Sequence, residues 1–254
     1  MRWLLLLTTL FWLPSCLAFN FQNHSIICQM AYEKLTPTAQ KNIDAVIKKS
    51  PFKNYASACP WPDKVRSQKQ YQHTKSWHYI NLSPLASKVT AASCPASGCL
   101  LSAIALMQKR LEKQPQKDWE ALLFFSHFIA DLHQPLHVSY AKDLGGNKVN
   151  LSKGKKATNL HKLWDGDLLP RKDIKKRSQE WQASISPRQA NAWRQGSVLD
   201  WANESFELTQ KIYRYLPASG KITEKYTQHF VPEFETQAKK ASVRLAYLLE
   251  NIYG

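Results

Sequence analysis

The sequence predicts an all-α fold: a single compact domain of many helices, with at most one small β-hairpin. Three observations carry this. Apolar residues recur at helical spacing over most of the chain, strand-like alternation is scarce, and no repeat, low-complexity tract or second domain divides it. At 254 residues the chain is long enough for one large domain with a substantial core.

The first 18 residues, MRWLLLLTTLFWLPSCLA, hold one positive charge, an apolar run from Trp3 to Leu13, then Pro14 and a small-residue end. That is the pattern of a secretory signal peptide. The run is too short to span a bilayer, which takes roughly 20 apolar residues. Cleavage after Ala18 leaves Phe19 as the mature first residue and 19–254 as the mature domain. A loose lipobox, Leu13-Pro14-Ser15-Cys16, is the competing reading, and Pro14 fits it poorly. No later segment is apolar enough to cross a membrane, so a chain without a membrane anchor is expected, secreted or, in a bacterium, periplasmic; a monomer is expected as well.

Further along, 25–35 is apolar at helical spacing. Thr36 reads as an N-cap and Pro37 as the first position of a helix reaching about Lys49. Residues 99–113 carry a core stripe, and 118–132 is apolar around most of its circumference, the mark of a central buried helix. Residues 186–216 and 223–253 read as two long amphipathic closing helices, the second bent near Pro232. A small hairpin fits 138–153, with its Gly-Gly pair. The basic runs 153–156 and 171–177 read as solvated loops.

The net charge is +16, and +15 once Arg2 leaves with the leader. So basic a chain favours polyanionic partners, nucleic acid or an anionic membrane face; plain solubility is the alternative. Four cysteines remain after cleavage, which suits two disulfides in an exported protein. Cys94 and Cys99 flank a short Pro/Gly loop suited to a local bridge, leaving Cys28 with Cys59 by elimination. Zinc–thiolate binding is the rival, without a CxxC to support it.

The chemistry concentrates in 124–165, which holds His127/Asp131 and His161/Asp165 with His137 between them. Residues i and i+4 of a helix share a face. An imidazole and a carboxylate there can hold one cation, and that donor pair suits Zn²⁺. His24, Asp63 and His78 stand in suggestive places. His133 points about 200° away from Asp131 around a regular helix and is set aside. His73 and His229 lack acidic partners and read as surface residues.

His127-Phe-Ile-Ala-Asp131, His133-Gln-Pro-Leu-His137, Gly145-Gly-Asn147 and Asn159-Leu-His161-x-x-Trp-Asp165 together resemble the S1/P1 family of zinc-dependent nucleases. Trp61-Pro-Asp63-x-x-Arg66, Trp77-His78-Tyr79, Trp201-Ala-Asn-Glu-Ser205 and the C-terminal helix extend the likeness over the whole mature chain. The resemblance implies a helical phospholipase C/P1 nuclease fold and three zinc ions. Asp63, His78, His127 and Asp131 would hold the first, and His137, His161 and Asp165 the second. The third would take His24, Asp131 as a bridge, and the amino nitrogen and carbonyl oxygen of Phe19. It also implies cleavage of single-stranded DNA and RNA to 5′-nucleotides and removal of 3′-phosphates from 3′-nucleotides. Asp63 would orient the attacking water and Arg66 would neutralise the phosphate. Tyr79 would stack on the base, and Asn81 stands where an Asp can contact its edge. Phe19 stands where the family usually has Trp, and Gly166 where it often has a polar group.

Two other functions fit parts of the pattern. A zinc-dependent phospholipase C would share the fold and much of the ligand set; the charge, WPDKVR and the cysteines favour the nuclease. A secreted non-catalytic metal- or nucleic-acid-binding protein would need a cluster with no open position. Asn23, Asn81, Asn150 and Asn203 head N-x-S sequons, and two of these adjoin proposed ligands, so little or no glycosylation is expected there.

Overall fold

The computed structural model describes residues 19–170 and 172–254, so the expected signal peptide lies outside the described residues. In chain order the helices and strands are α1 (Phe21–Glu33), α2 (Pro37–Ile47), α3 (Tyr55–Ala58), α4 (Trp61–Val65), β1 (Ile80–Leu82), α5 (Leu100–Lys113), α6 (Trp119–Leu132), β2 (Val138–Tyr140), β3 (Asn150–Lys153), β4 (Lys156–Asn159), α7 (Leu160–Lys162), α8 (Ile174–Ala183), α9 (Pro187–Trp193), α10 (Val198–Arg214), β5 (Lys221–Ile222) and α11 (Glu224–Tyr253). The fold is mostly α, as the periodicity predicts.

The central position falls to α6, in which every residue from Ala121 to Leu132 is buried. Helices α5 and α11 pack on it, and α1 lies against α11, α3 and α8. Asp118 caps α6, accepting from Ala121 N at 2.9 Å, and its carboxylate also receives Arg110. Thr36 caps α2 with Pro37 in the first turn. The first helix starts at Phe21 rather than Ser25, because Asn20 accepts from Asn23 N and begins the turn early.

The 186–216 segment is two helices, not one. Gly196 takes φ +86 between them, and Ser197 then opens α10 through a capping box with Asp200. The hairpin lies further along the chain than the expected 138–153: β3 pairs antiparallel with β4 over 150–159, and β5 joins β3 in parallel. Val138–Tyr140 instead pairs in parallel with β1. The 153–156 turn is anchored through Lys153 and Lys156 to Asp167. The 171–177 run is also not a free loop. Arg171 lies outside the described residues, Ile174 starts α8, and Arg177 is buried, donating to the Pro170 carbonyl and paired with Glu235. Helix α11 runs unbroken through Pro232.

Two disulfides join Cys28 to Cys59 and Cys94 to Cys99. The first ties α1 to the end of α3. Between α6 and β2, Ser205 donates to the Leu132 carbonyl at 2.5 Å, and Thr209 donates to the carbonyls of Pro135 and Val138. Helix α10 thus fixes the segment that carries His137.

Candidate metal centre

Six stretches bring one residue or a pair each to a common point. The first helix presents His24, α4 presents Asp63, and His78 ends the 3₁₀ stretch Lys69–His78. Helix α6 presents His127 and Asp131 one turn apart, His137 ends a short 3₁₀ turn, and α7 with the stretch Leu163–Asp167, kinked at Gly166, presents His161 and Asp165. All eight side chains are buried.

Their donor atoms fall into three groups, each within 4.8 Å: His24, Asp63 and His127; His78, His127 and Asp131; and His137, His161 and Asp165. The sequence places His24 with Asp131 and Phe19. In the structure His24 Nε2 is indeed 3.4 Å from Asp131 Oδ1, but Asp63 and His127 close around it too. Phe19 is fully buried, its ring edge-on to His24 at 6.0 Å and to Phe234 at 5.4 Å.

Backbone carbonyls set the orientation of three imidazoles. Nδ1 of His127 faces the Cys59 carbonyl at 3.1 Å, that of His137 the His78 carbonyl at 2.7 Å, and that of His161 the Gly145 carbonyl at 2.7 Å. With Nδ1 facing a carbonyl, each ring turns its Nε2 inward. The Cys28–Cys59 bridge thus ends on the residue that orients His127. The parallel β1–β2 pair sets His78 beside His137. Gly145 holds φ +62, and a Cβ there would lie 2.5 Å from the Leu136 carbonyl oxygen, so only glycine lets this loop reach His161.

These residues fit a metal on their own chemistry. Both nitrogens of His24, Nε2 of His78 and of His127, and Oδ1 of Asp131 are buried without a hydrogen bond. Such atoms are costly unless something satisfies them. Electrostatics agree. Burial pulls the His24 imidazole down to about 4. In His127, burial is outweighed by the Asp131 and Asp63 carboxylates, which hold it up to about 10. Against its burial, Asp63 is held down to about 2 by the His127 charge, and Asp131 well below the usual range by His127 and His137. Burial drives Asp165 well above it. The cluster calls for positive charge at its centre. A proton on His127 supplies some, and a divalent cation bound by carboxylates and neutral imidazoles supplies more.

A cavity of about 200 Å³ opens over the centre, lined by Arg66, Tyr79, Asn81, His137, Asn147 and His161 among others. Arg66 Nη1 lies 3.2 Å from Asp63 Oδ1. Tyr79 and Asn81 are exposed at the mouth. His133 is buried away from the centre, its Nδ1 donating to Ile129 O and its Nε2 accepting from Arg244. His73 and His229 are at the surface.

Two supports escape the sequence reading. Gln134 Nε2 donates to Asp165 Oδ1 at 2.7 Å, while its Oε1 accepts from Leu136 N. Asn20 N and Asn23 Nδ2 both donate to the Asp165 carbonyl, at 2.7 and 2.9 Å, tying the start of α1 to the far side of the centre. The only signal for Gln134 is its place in HQPLH.

Comparison with known proteins bears on this arrangement. A family model described as S1/P1 Nuclease matches residues 21–254. Endonuclease 2 of Arabidopsis thaliana is 27% identical, over 95% of this chain and 92% of that protein. Nuclease P1 of Penicillium citrinum is 27% identical, over 91% of this chain and 96% of that protein. Nuclease S1 of Aspergillus oryzae is 29% identical over 44% of this chain and 41% of its own length. The match runs through every element that supplies the cluster, and the chain therefore belongs to the S1/P1 nuclease family, as a phosphodiesterase.

Proposed function

We propose that this chain is a secreted, zinc-dependent endonuclease that cleaves single-stranded DNA and RNA to 5′-nucleotides and removes 3′-phosphates from 3′-nucleotides. One observation carries the reading: buried, unsatisfied imidazole and carboxylate atoms fall in two groups that share His127, and a third group, His137, His161 and Asp165, stands with them beneath a cavity lined by Arg66 and Tyr79. Zinc suits donors of nitrogen and carboxylate oxygen, and three ions are proposed. Asp63, His78, His127 and Asp131 hold one, His137, His161 and Asp165 another, and His24, Asp131 and the Phe19 backbone the third. When bound, zinc supplies Lewis acidity, polarising the phosphate and lowering the pKa of water.

The chain's own residues do the rest. Asp63, ionised in this setting, accepts a hydrogen bond from the attacking water and so aims its lone pair at phosphorus. Arg66, already 3.2 Å from Asp63, donates to the phosphate as negative charge builds in the transition state. Tyr79 offers a ring face to an unpaired base and Asn81 a donor and an acceptor to its edge. A base held in a duplex cannot reach that ring, which explains a single-strand preference. The two disulfides and the leader sequence support export, with Phe19 as the mature terminus.

The test sets single-stranded DNA and phosphatidylcholine side by side with the purified mature protein, with zinc counted per chain. Release of 5′-phosphorylated nucleotides, lost with chelator and restored by Zn²⁺, is expected. Lipid cleavage without strand cleavage would move the function to a phospholipase C.

A further inference from the structure

Among the described residues, Phe21 and Tyr79 are exposed aromatics that stand beside residues of the metal centre. Tyr79 follows His78 and lines the cavity. Phe21 does not line it. It opens α1 and lies one turn before His24, so the two share a helix face, His24 buried within the centre and Phe21 42% exposed at its rim. Lys64, between Asp63 and Arg66 on α4, places Nζ 4.3 Å from the Phe21 ring centroid. A lone exposed phenylalanine needs no explanation. One that borders a phosphodiesterase centre and carries a cation on its face has the composition that single-strand binding uses, a stacking surface with a phosphate partner.

We propose that Phe21 and Lys64 form a second base subsite, distinct from the Tyr79 cavity, for the nucleotide on the other side of the scissile phosphate. The inference rests on the nuclease reading above. As the strand enters, a base takes the ring face and Lys64 turns to the adjacent phosphate. The exchange is favourable, because an exposed lysine–ring contact is worth only a few-fold in binding whereas base–aromatic stacking is worth about tenfold or more. Helix α4, which carries Asp63 and is capped by Arg66, then lies between two stacked bases.

The test measures KM and kcat of the mature, zinc-loaded protein and its Phe21→Ala, Phe21→Trp and Lys64→Ala variants. The substrates are a short oligothymidylate and an abasic strand of the same length, with zinc content checked throughout. On the thymidylate strand, Phe21→Ala should raise KM about tenfold, Phe21→Trp should restore it, and Lys64→Ala should raise it a few-fold. On the abasic strand Phe21→Ala should match the wild type. Should Phe21→Ala lose zinc, Phe21→Leu, apolar but without an aromatic face, takes its place. A wild type that cleaves strands, with KM unmoved by loss of the ring, overturns the subsite alone. A wild type that cleaves neither strand overturns the nuclease reading and the subsite with it.

Discussion

Asp131 faces four imidazoles: His24 at 3.4 Å, His78 at 3.0 Å, His127 at 3.3 Å and His137 at 3.2 Å. A carboxylate so placed serves more than one of the proposed ions. Asp131→Asn keeps the shape and removes the charge, and its kcat/KM on single-stranded DNA should fall by about 10³ or more, with zinc per chain reduced. Near-wild-type turnover in that variant would refute the shared-ligand model. Gln134 acts at one remove. By donating to Asp165 Oδ1, the oxygen that faces His137 and His161, it fixes how the carboxylate is turned in the centre, so Gln134→Ala should weaken zinc binding about 10- to 100-fold in a chelator competition. At this scale the sequence is legible where the rule is local. A four-residue spacing on a helix places His127 over Asp131, and the helical angle turns His133 away. Gln134 is illegible because its partner lies on another element, and no local rule joins them.

Between elements the chief device is a buried clasp. Arg244 on α11 donates to the Trp193 carbonyl at the end of α9, to His133 at the end of α6, and to both oxygens of Glu204 on α10. Its guanidinium also lies 4.7 Å from the Trp201 ring. Glu204→Gln leaves that charge buried with weaker partners and should cost about 3 kcal/mol in denaturant unfolding. Burial tends to raise the Glu204 carboxyl, but hydrogen bonds from Arg244 and Lys240 outweigh it and hold its pKa below the ordinary value. A depressed carboxylate stabilises the fold above its unfolded pKa and loses that contribution as pH falls through the folded one. The gap in Tm between wild type and Glu204→Gln should therefore shrink as the solution is acidified from pH 6 towards pH 3. The caps at Thr36 and Asp118 are readable because they sit next to the helices they start. The break at Gly196 is not, because apolar spacing continues across it. Arg177 reads as solvated only until the fold brings Glu235 to it.

Over the whole molecule, 35 Lys and Arg against 19 Asp and Glu give a net charge of +16. Part of the affinity for a nucleic-acid strand must then be counterion release. KM for single-stranded DNA should rise by about tenfold or more between 50 and 200 mM salt, while zinc content stays constant. A flat profile would mean that the surface charge does not meet the strand. The amino end is the other feature of this scale. Adding one residue before Phe19 should remove the proposed terminal ligand and cripple turnover; full zinc content and activity in the extended protein would refute that role. The burial of Phe19 against His24 and Phe234, with Asn20 N bonded to the Asp165 carbonyl, also governs how the protein can be prepared and attached to anything else. With Phe19 as the proposed mature terminus, a purification tag, dye or immobilising linker placed ahead of it would have to be threaded out of the core. Gly254, which follows α11, is exposed and stands outside the residues of the centre, so an attachment there leaves them untouched.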